Sequence, residues 1–136
     1  MNVVILGCGR VGAQLAGVLD KAGHSVSVID SSSDAFQRLS SSFSGATHIG
    51  NGIDEDVLDR AGTRQADVFI AVTNGDNRNI MASQIAKELF KVNKVVCRIY
   101  DPIREETYRE LGLETFCPTK IGAQIIFDMI IDRKQK

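Results

Sequence analysis

Several features that would point to other classes of protein are scarce or missing in this sequence. Its 136 residues include 16 lysine or arginine and 17 aspartate or glutamate side chains, so the formal net charge is only −1. This balance gives no electrostatic reason to expect nucleic acid or an anionic membrane surface as the main partner. The three cysteines, at positions 8, 97 and 117, are odd in number and lack CxxC spacing. A disulfide framework is therefore not expected, and a reducing, cytoplasmic location fits best.

Long apolar runs are also missing. The opening MNVVILGCG has no basic segment and is interrupted by Gly7, so it is typical of a buried strand and not of a signal peptide. The apolar stretch IIFDMII, residues 125–131, is split by Asp128 and is far shorter than the ~20 residues of a membrane-spanning helix. We therefore expect a soluble chain that does not insert into a membrane.

The length and the apolar pattern predict one domain, because 136 residues fall within the roughly 100 to 200 expected for a single domain. Six β-branched runs alternate with stretches in which apolar residues have helical spacing. The predicted strands are Asn2–Gly7, Ser25–Asp30, Thr47–Ile49, Asp67–Val72, Lys94–Ile99 and Glu114–Cys117. The predicted helices are Val11–Ala22, Ser33–Ser41, Asp54–Ala61, Asn77–Phe90, Arg104–Leu111 and Lys120–Asp132. Runs such as VVIL and VFIAV indicate strands covered on both faces. The predicted fold is α/β, a doubly wound parallel six-stranded sheet with helices on both faces.

A glycine motif, GCGRVG, follows the first predicted strand and opens the first predicted helix. Gly7 permits a tight turn, Gly9 lets the backbone approach a phosphate, and Gly12 lets the helix pack on the strand. Asp30 ends the second strand, eighteen residues beyond Gly12, where a carboxylate accepts hydrogen bonds from ribose hydroxyls. Together these features predict a Rossmann-like dinucleotide site. The alternative is a turn that only packs, with Asp30 capping a helix. No arginine follows Asp30 to receive a 2′-phosphate, so NADP is disfavoured.

Polar residues also follow the third and fourth predicted strands. Asn51 lies in GNGID, and Thr73 and Asn74 lie in TNGDN. Because ligands of such sheets bind at the carboxyl ends of the strands, these residues are expected to face one crevice. For Asn51 and Asn74 the alternative is ordinary turn chemistry, since Asn-Gly pairs favour a positive φ.

The sequence offers no recognisable catalytic set. No lysine stands four residues after Tyr100 or Tyr108, and the two histidines, His24 and His48, lie beside predicted strands, where packing or surface roles are favoured. The acidic residues 54–56 stand at a predicted helix start, where carboxylates interact favourably with the helix dipole, so a structural role is favoured over a metal site. We therefore expect a protein that binds a nucleotide without a catalytic residue or a metal.

Several segments taken together resemble the RCK/KTN domain, or TrkA-N domain, of the Trk and Ktr potassium-uptake regulatory proteins. These segments are GCGRVG, Asp30, GNGIDEDVLDRAG, ADVFIAVTNGDNRN, MASQIAKELF, VVCRIYDP and ELGLETFCPT. The resemblance implies a cytoplasmic, non-enzymatic regulatory subunit that binds NAD(H), ATP, ADP or AMP. It also implies dimers within a ring beneath a potassium-translocating membrane protein. The ligand contacts that it implies are Gly7, Gly9, Arg10, Val11, Gly12, Asp30, Ser31, Asn51, Thr73, Asn74 and Asn79.

Arg10, between the second and third glycines, has a specific role in this resemblance. It implies an arginine beside the phosphates and near a neighbouring subunit, acting as a sensor of phosphate number. The physical argument agrees, because the positive end of a helix dipole disfavours a cation unless an anion compensates. The sequence departs from the family at Asn51, where aspartate is common, and it lacks a C-terminal lobe. The chain is therefore either a fragment or a naturally short subunit.

The last predicted helix, within residues 120–136, is strongly apolar on one face. That face carries Ile121, Ile125, Ile126, Met129 and Ile130. The resemblance implies that this helix crosses to a partner subunit, and a helix folded back on its own sheet is the alternative. Two other function classes remain open at this point: a fragment of an NAD-dependent oxidoreductase, and an assembly module with a vestigial site.

Overall fold

The computed structural model describes the backbone of residues 1–135 and the side chains of residues 1–132. Six parallel strands form one sheet in the order β3-β2-β1-β4-β5-β6. The strands are β1 (Asn2–Leu6), β2 (Ser25–Asp30), β3 (Ala46–Ile49), β4 (Val68–Ala71), β5 (Lys94–Arg98) and β6 (Glu114–Phe116). The helices are α1 (Arg10–Lys21), α2 (Glu55–Arg60), α3 (Asp76–Glu88), α4 (Pro102–Glu110) and α5 (Pro118–Gln135), with 3₁₀ helices at Ser33–Arg38 and Thr63–Gln65. The predicted doubly wound α/β fold is confirmed. Strand order reverses between β1 and β4, which defines the switch point of the sheet.

Alternate residues of the central strand β1 point to opposite faces of the sheet and enter two separate cores. Val4 and Leu6 pack in the core that includes α2 and α3, while Val3 and Ile5 pack in the core that includes α1 and the first 3₁₀ helix. All four side chains are almost completely buried. Burial on both faces explains why this strand is apolar at every position after the exposed Asn2.

The face that carries α1 is only half covered. Between α1 and strands β4 to β6 the structure leaves an apolar hollow of about 640 Å³. Its lining includes Ile70, Val96 and Phe116 from the sheet and Val11 and Val18 from α1. We call this surface the α1 hollow.

The segment predicted as a helix over Ser33–Ser41 is a 3₁₀ helix that ends at Arg38, with Leu39 already extended. The preceding Ser32 occupies the N-cap position, but its side chain makes no capping hydrogen bond. Serine-rich segments are poor α-helix formers because their hydroxyls compete for backbone groups. At the other end of the chain, α5 begins at Pro118, two residues before the predicted start, because proline is well tolerated in a first helical turn.

Helix α5 leaves the sheet beyond the edge strand β6 and exposes its apolar side chains. Ile125, Ile126, Phe127 and Met129 are 54 to 63% exposed. The alternative in which this helix folds back on its own sheet is therefore wrong. The side chains of residues 133–135 and the whole of residue 136, which belong to the predicted assembly helix, lie outside the described part of the chain. Within residues 1–135, no helix has the length and apolar character needed to span a membrane.

Candidate functional site

An open crevice of about 550 Å³ lies at the carboxyl edge of the sheet, over the switch point. Loops after β1, β2, β3 and β4 contribute to it, as does the end of β5. It is lined by Leu6, Gly7, Gly9, Asp30, Ser31, Ser32, Asp34, Ala35, Arg38, Gly50, Asn51, Gly52, Thr73, Asn74, Arg78 and Arg98. The structure therefore brings together seven of the expected ligand contacts: Gly7, Gly9, Asp30, Ser31, Asn51, Thr73 and Asn74.

The glycine loop is shaped by close packing. Gly7 has φ +111°, and a Cβ there would lie 2.9 Å from the Thr73 backbone nitrogen. A Cβ on Gly12 would lie 1.8 Å from the Gly7 carbonyl oxygen, whereas one on Gly9 would meet nothing within 4 Å. Gly12 thus packs behind the loop and outside the crevice, while Gly9 keeps the loop open to a ligand. Because α1 begins at Arg10, the first N–H groups of this helix have no intrahelical acceptor and suit an anion.

Asp30 connects two of the loops around the crevice. Its Oδ2 accepts a hydrogen bond from the Cys8 N–H at 2.8 Å, and its Oδ1 accepts one from the Ser32 N–H at 2.9 Å. Neither donor belongs to the following 3₁₀ helix, so Asp30 is not a helix cap. Each carboxylate oxygen can accept a second hydrogen bond, which leaves capacity for a ligand hydroxyl.

Asn79 does not face the crevice. This side chain on α3 is fully buried, and its Nδ2 donates to the carbonyls of Thr73 at 2.9 Å and Arg98 at 3.0 Å. Its Oδ1 accepts from the Thr73 N–H at 2.9 Å and the Thr73 hydroxyl at 2.6 Å. The Asn79 side chain is therefore not placed for the ligand contact that was expected of it. Instead, Asn79 holds the loop after β4 against the end of β5.

Arg10 and Val11 also lie away from the crevice of their own chain. Arg10 is exposed on the flank of α1 beside Gln14 and Val18, which follow it by one and two helical turns. Val11 lines the α1 hollow. The helix start explains both placements, because a residue inside α1 projects from the helix flank and not from the loop. The side chains of Arg10 and Val11 thus do not line the crevice of their own chain, and their contacts with a ligand stay predictions.

Sequence reasoning missed three arginines that line the crevice: Arg38, Arg78 and Arg98. Arg38 Nη1 donates to the Cys8 carbonyl at 3.3 Å. Arg38 stands eight residues beyond Asp30, so the prediction that no arginine follows Asp30 is wrong. The argument against a ligand with a 2′-phosphate depended on that prediction and is therefore withdrawn. The 3₁₀ helix turns the chain back and returns this side chain to the glycine loop. A search at the end of the fifth predicted strand would have found Arg98.

Arg98 is a buried cation at the back of the crevice. Only 7% of the residue is exposed, and its Nη2 donates to the Thr73 carbonyl at 2.7 Å. Its Cζ lies 4.7 Å from the centre of the Tyr100 ring. No carboxylate of residues 1–132 lies within ion-pair distance of this guanidinium, and Nε has no hydrogen-bond partner. Burial lowers the pKa of Arg98 from that of a free arginine.

The remaining polar residues have structural roles. Asp54 is the N-cap of α2, where its Oδ1 accepts from the Asp56 N–H at 2.9 Å, which agrees with the predicted role of the acidic residues 54–56. Asn51 forms a turn in which its Oδ1 accepts from the Ile53 N–H at 3.2 Å, and it also lines the crevice. Neither Asn51 nor Gly52 has the positive φ that the Asn-Gly pair predicted. All three cysteines are free and buried. No group of three potential metal ligands occurs within the described residues.

The parallel sheet, the glycine loop and the crevice at the switch point define a Rossmann-like α/β domain of the type that binds nucleotides. Residues 3–118 match the model of the TrkA-N domain. The chain belongs to the TrkA-N domain family.

The chain is similar in sequence to named potassium uptake proteins. The chain is 50% identical over 115 residues to the Trk system potassium uptake protein TrkA of Streptomyces coelicolor, which covers 85% of this chain and 52% of that protein. It is 33% identical over 137 residues to the Trk system potassium uptake protein TrkA homolog of Pyrococcus abyssi, which covers 96% of this chain and 60% of that protein. The chain thus spans little more than half the length of these relatives.

Solved structures share the fold at lower sequence identity. The Shewanella denitrificans Kef CTD in AMP-bound form has a TM-score of 0.80 and 20% identity, covering 100% of this chain and 83% of that chain. The GsuK channel bound to NAD has a TM-score of 0.81 and 21% identity, covering 98% of this chain and 24% of that chain. At these identities the likeness concerns the fold alone.

Proposed function

We propose that this chain is the nucleotide-sensing domain of a regulatory subunit that controls a potassium-translocating membrane protein from its cytoplasmic side. The crevice carries the proposal, because it combines a glycine loop, an acidic residue at the end of β2 and a buried cation at its back. The names of the relatives from Streptomyces coelicolor and Pyrococcus abyssi support the connection to potassium uptake.

The proposed ligand is an adenine nucleotide: NAD(H), ATP, ADP or AMP. The free N–H groups at the start of α1 bind a phosphate, and Asp30 binds the ribose hydroxyls. In the proposed complex, Ser31 and Asn51 lie beside the ribose. Thr73 and Asn74 form the opposite wall of the crevice. Three guanidinium groups favour a ligand with more than one phosphate, since arginine binds phosphate through paired hydrogen bonds.

We propose that the crevice binds its nucleotide without catalysing a reaction. The residues that line the crevice include Asp30 and Asp34 but no histidine, lysine, tyrosine or cysteine among those described. A nicotinamide dehydrogenase needs a group that moves a proton while the hydride is transferred. The crevice offers carboxylates and guanidinium groups, which suit recognition.

The proposed active form is a homodimer within a larger ring. Helix α5 exposes an apolar face that includes Ile126 and Phe127, and the α1 hollow is apolar and open. Apolar surfaces of this size are typical of interaction sites. A second copy of α5 in the α1 hollow covers both surfaces at once. In such a pair, Arg10 lies at the rim of the hollow, where it can reach a nucleotide held by the other copy.

Calorimetric titration tests this function. We expect wild-type protein to bind ADP, and Asp30→Ala to weaken binding by about 1.5 to 3 kcal/mol, the range for a hydrogen bond to a charged group. Asp34→Ala is the matched control, because Asp34 also lines the crevice but lies four residues further along the chain. Equal binding by wild type and Asp30→Ala would show that the crevice is not a ribose site. Turnover of NADH by the wild type would instead favour an oxidoreductase.

A further inference from the structure

Arg98 is a buried cation that forms no ion pair with a carboxylate of residues 1–132, and the charge of Asp76 acts on it only from beyond ion-pair distance. Its two contacts are the Thr73 carbonyl and the face of Tyr100, and its Nε is unpartnered. Burying a cation is unfavourable unless an anion or a full set of acceptors compensates. Because Arg98 lines the crevice, an anionic group of a bound ligand can supply the missing partner.

Tyr100 connects Arg98 to distant parts of the chain. Its ring is stacked on the guanidinium, with 4.7 Å between the ring centre and Cζ. Its N–H donates to Asp76 Oδ1 at 2.8 Å, in the first turn of α3. Its carbonyl accepts from the Thr119 hydroxyl at 2.8 Å and from Cys117 Sγ at 3.6 Å. One residue thus contacts both the crevice arginine and the first turn of α5.

The first turn is the part of α5 that is fixed to the domain. Ile121 N–H donates to the Cys117 carbonyl at 3.1 Å, and Thr119 is bonded to Tyr100 as described. Lys120 is paired with Glu105 on α4 at 2.7 Å. Beyond this turn, five apolar side chains of α5 are 50 to 63% exposed: Ile125, Ile126, Phe127, Met129 and Ile130. The direction of the helix therefore depends on the contacts of residues 117–121.

We propose that Arg98 and Tyr100 couple occupancy of the crevice to the stability of the first turn of α5. An anionic group bound to Arg98 fixes the guanidinium in place, which strengthens the stack on Tyr100 and the Tyr100 carbonyl bond to Thr119. This inference rests on the proposed function, since it requires a nucleotide in the crevice. Tyr100 is a positioning residue and not a ligand contact. A ligand shifts such an equilibrium only through contacts that differ between its two states, and the contact of its anionic group with Arg98 at the back of the crevice provides that difference.

Hydrogen exchange of the whole chain tests the coupling, with ADP as the probe. We expect ADP to slow exchange of the amides of residues 119–122 by at least about fivefold in the wild type, the lower end of typical coupling between two sites. Tyr100→Leu removes the stack and abolishes this slowing, while the variant still binds ADP and loses no more affinity than the factor by which ADP slows exchange in the wild type, because coupling is reciprocal. Tyr100→Phe keeps an aromatic face and keeps the response.

A second pair of variants tests the other end of the connection without altering the stack. Thr119→Val removes the hydroxyl that binds the Tyr100 carbonyl and abolishes the ADP response, and Thr119→Ser retains it. All variants are compared at one protein concentration, with light scattering showing the same assembly state. If Tyr100→Leu or Thr119→Val responds like the wild type, or if the wild type binds ADP without slower exchange, the coupling is refuted while the proposed function stands. If the wild type does not bind ADP, the proposed function and the coupling both fail.

Discussion

At the residue scale, the position of each arginine decides whether it can act on a ligand in its own crevice. Arg98 lies inside and forms no ion pair with a carboxylate of residues 1–132, while Arg10 is exposed on the flank of α1. Both are permanently charged, so their different surroundings must determine their roles. Under the proposed function, Arg98 binds a ligand of its own chain, and Arg10 binds a ligand of a second copy.

Replacement of Arg98 by leucine tests the first of these roles. We expect Arg98→Leu to weaken ADP binding by about 1.5 to 3 kcal/mol and to leave adenosine binding nearly unchanged, because only ADP carries the charged phosphates. Calorimetry with both ligands measures the difference. Arg60→Ala, on the exposed surface of α2, is the control. Equal losses for ADP and adenosine would indicate a disturbed loop and not a lost phosphate contact.

Arg10 leads to a prediction that depends on assembly. Arg10→Ala should weaken ATP binding by about 1 to 3 kcal/mol at protein concentrations where dimers form, and AMP binding much less, since AMP lacks the outer phosphates. Where the protein is monomeric, no loss is expected for either nucleotide. Titrations at low and high protein concentration separate the two conditions. A loss that does not depend on concentration would place Arg10 in its own crevice.

At the scale of elements, Glu105 of α4 connects three segments. Only 3% of this residue is exposed. One carboxylate oxygen binds Lys120 of α5 at 2.7 Å, and the other accepts from the Thr115 hydroxyl of β6. Hydrogen bonds from Lys120 and Thr115 lower the pKa of Glu105 below its usual 4.5. Burial opposes this shift, and the positive charge of Arg109 adds to it. The carboxylate therefore stabilises the attachment of α5.

The lowered pKa predicts how stability changes with pH. Because the folded value lies below the unfolded one, the contribution of Glu105 is present above pH 4.5 and is lost as the pH falls through the folded value. Glu105→Gln should cost about 1 to 3 kcal/mol at pH 7 and should reduce the acid-dependent loss below pH 4.5. Urea unfolding at several pH values measures both effects. Glu106→Gln, an exposed neighbour, is expected to change neither, and an unchanged acid profile in Glu105→Gln would contradict the assignment.

At the scale of the whole molecule, unburied apolar surface is concentrated on α5 and in the α1 hollow. Ile126 is 59% exposed and Val18 57% exposed, so replacing either by glutamate leaves the core of the monomer intact. Both Ile126→Glu and Val18→Glu should weaken self-association by about 2 kcal/mol or more, because a charge in a dry interface lacks a partner. Light scattering across a concentration series measures this effect.

Leu111→Glu provides the control for the assembly prediction. Leu111 is 73% exposed but lies at the end of α4, outside both surfaces. It should leave self-association unchanged. Disruption by Ile126→Glu but not by Val18→Glu would show that α5 binds some surface other than the α1 hollow. A wild-type protein that stays monomeric at tens of micromolar would contradict the proposed dimer.

The sequence by itself determined the sheet, its helices and the site at the switch point. Strands, helices and turns follow from local periodicity and glycine positions, which is why all six strands and the roles of Gly7 and Gly12 in the loop were predictable. Asp30 was predictable as well, since the distance between the glycine loop and the end of the second strand is set by one βα unit. The apolar face of α5 was visible in its spacing.

Only the tertiary structure decided which of these side chains meet. The phase of a helix fixes where each residue projects, and each residue is rotated by about 100° from the previous one, so the start of α1 turned Arg10 outward. Asn79 was drawn inward by backbone groups of Thr73, in the loop after β4, and of Arg98, at the end of β5, which lie far apart in the sequence. Arg38 returned to the glycine loop through a 3₁₀ turn, and Arg98 reached the crevice because β5 lies beside β4. Such placements depend on strand order and helix phase, which a local pattern does not contain.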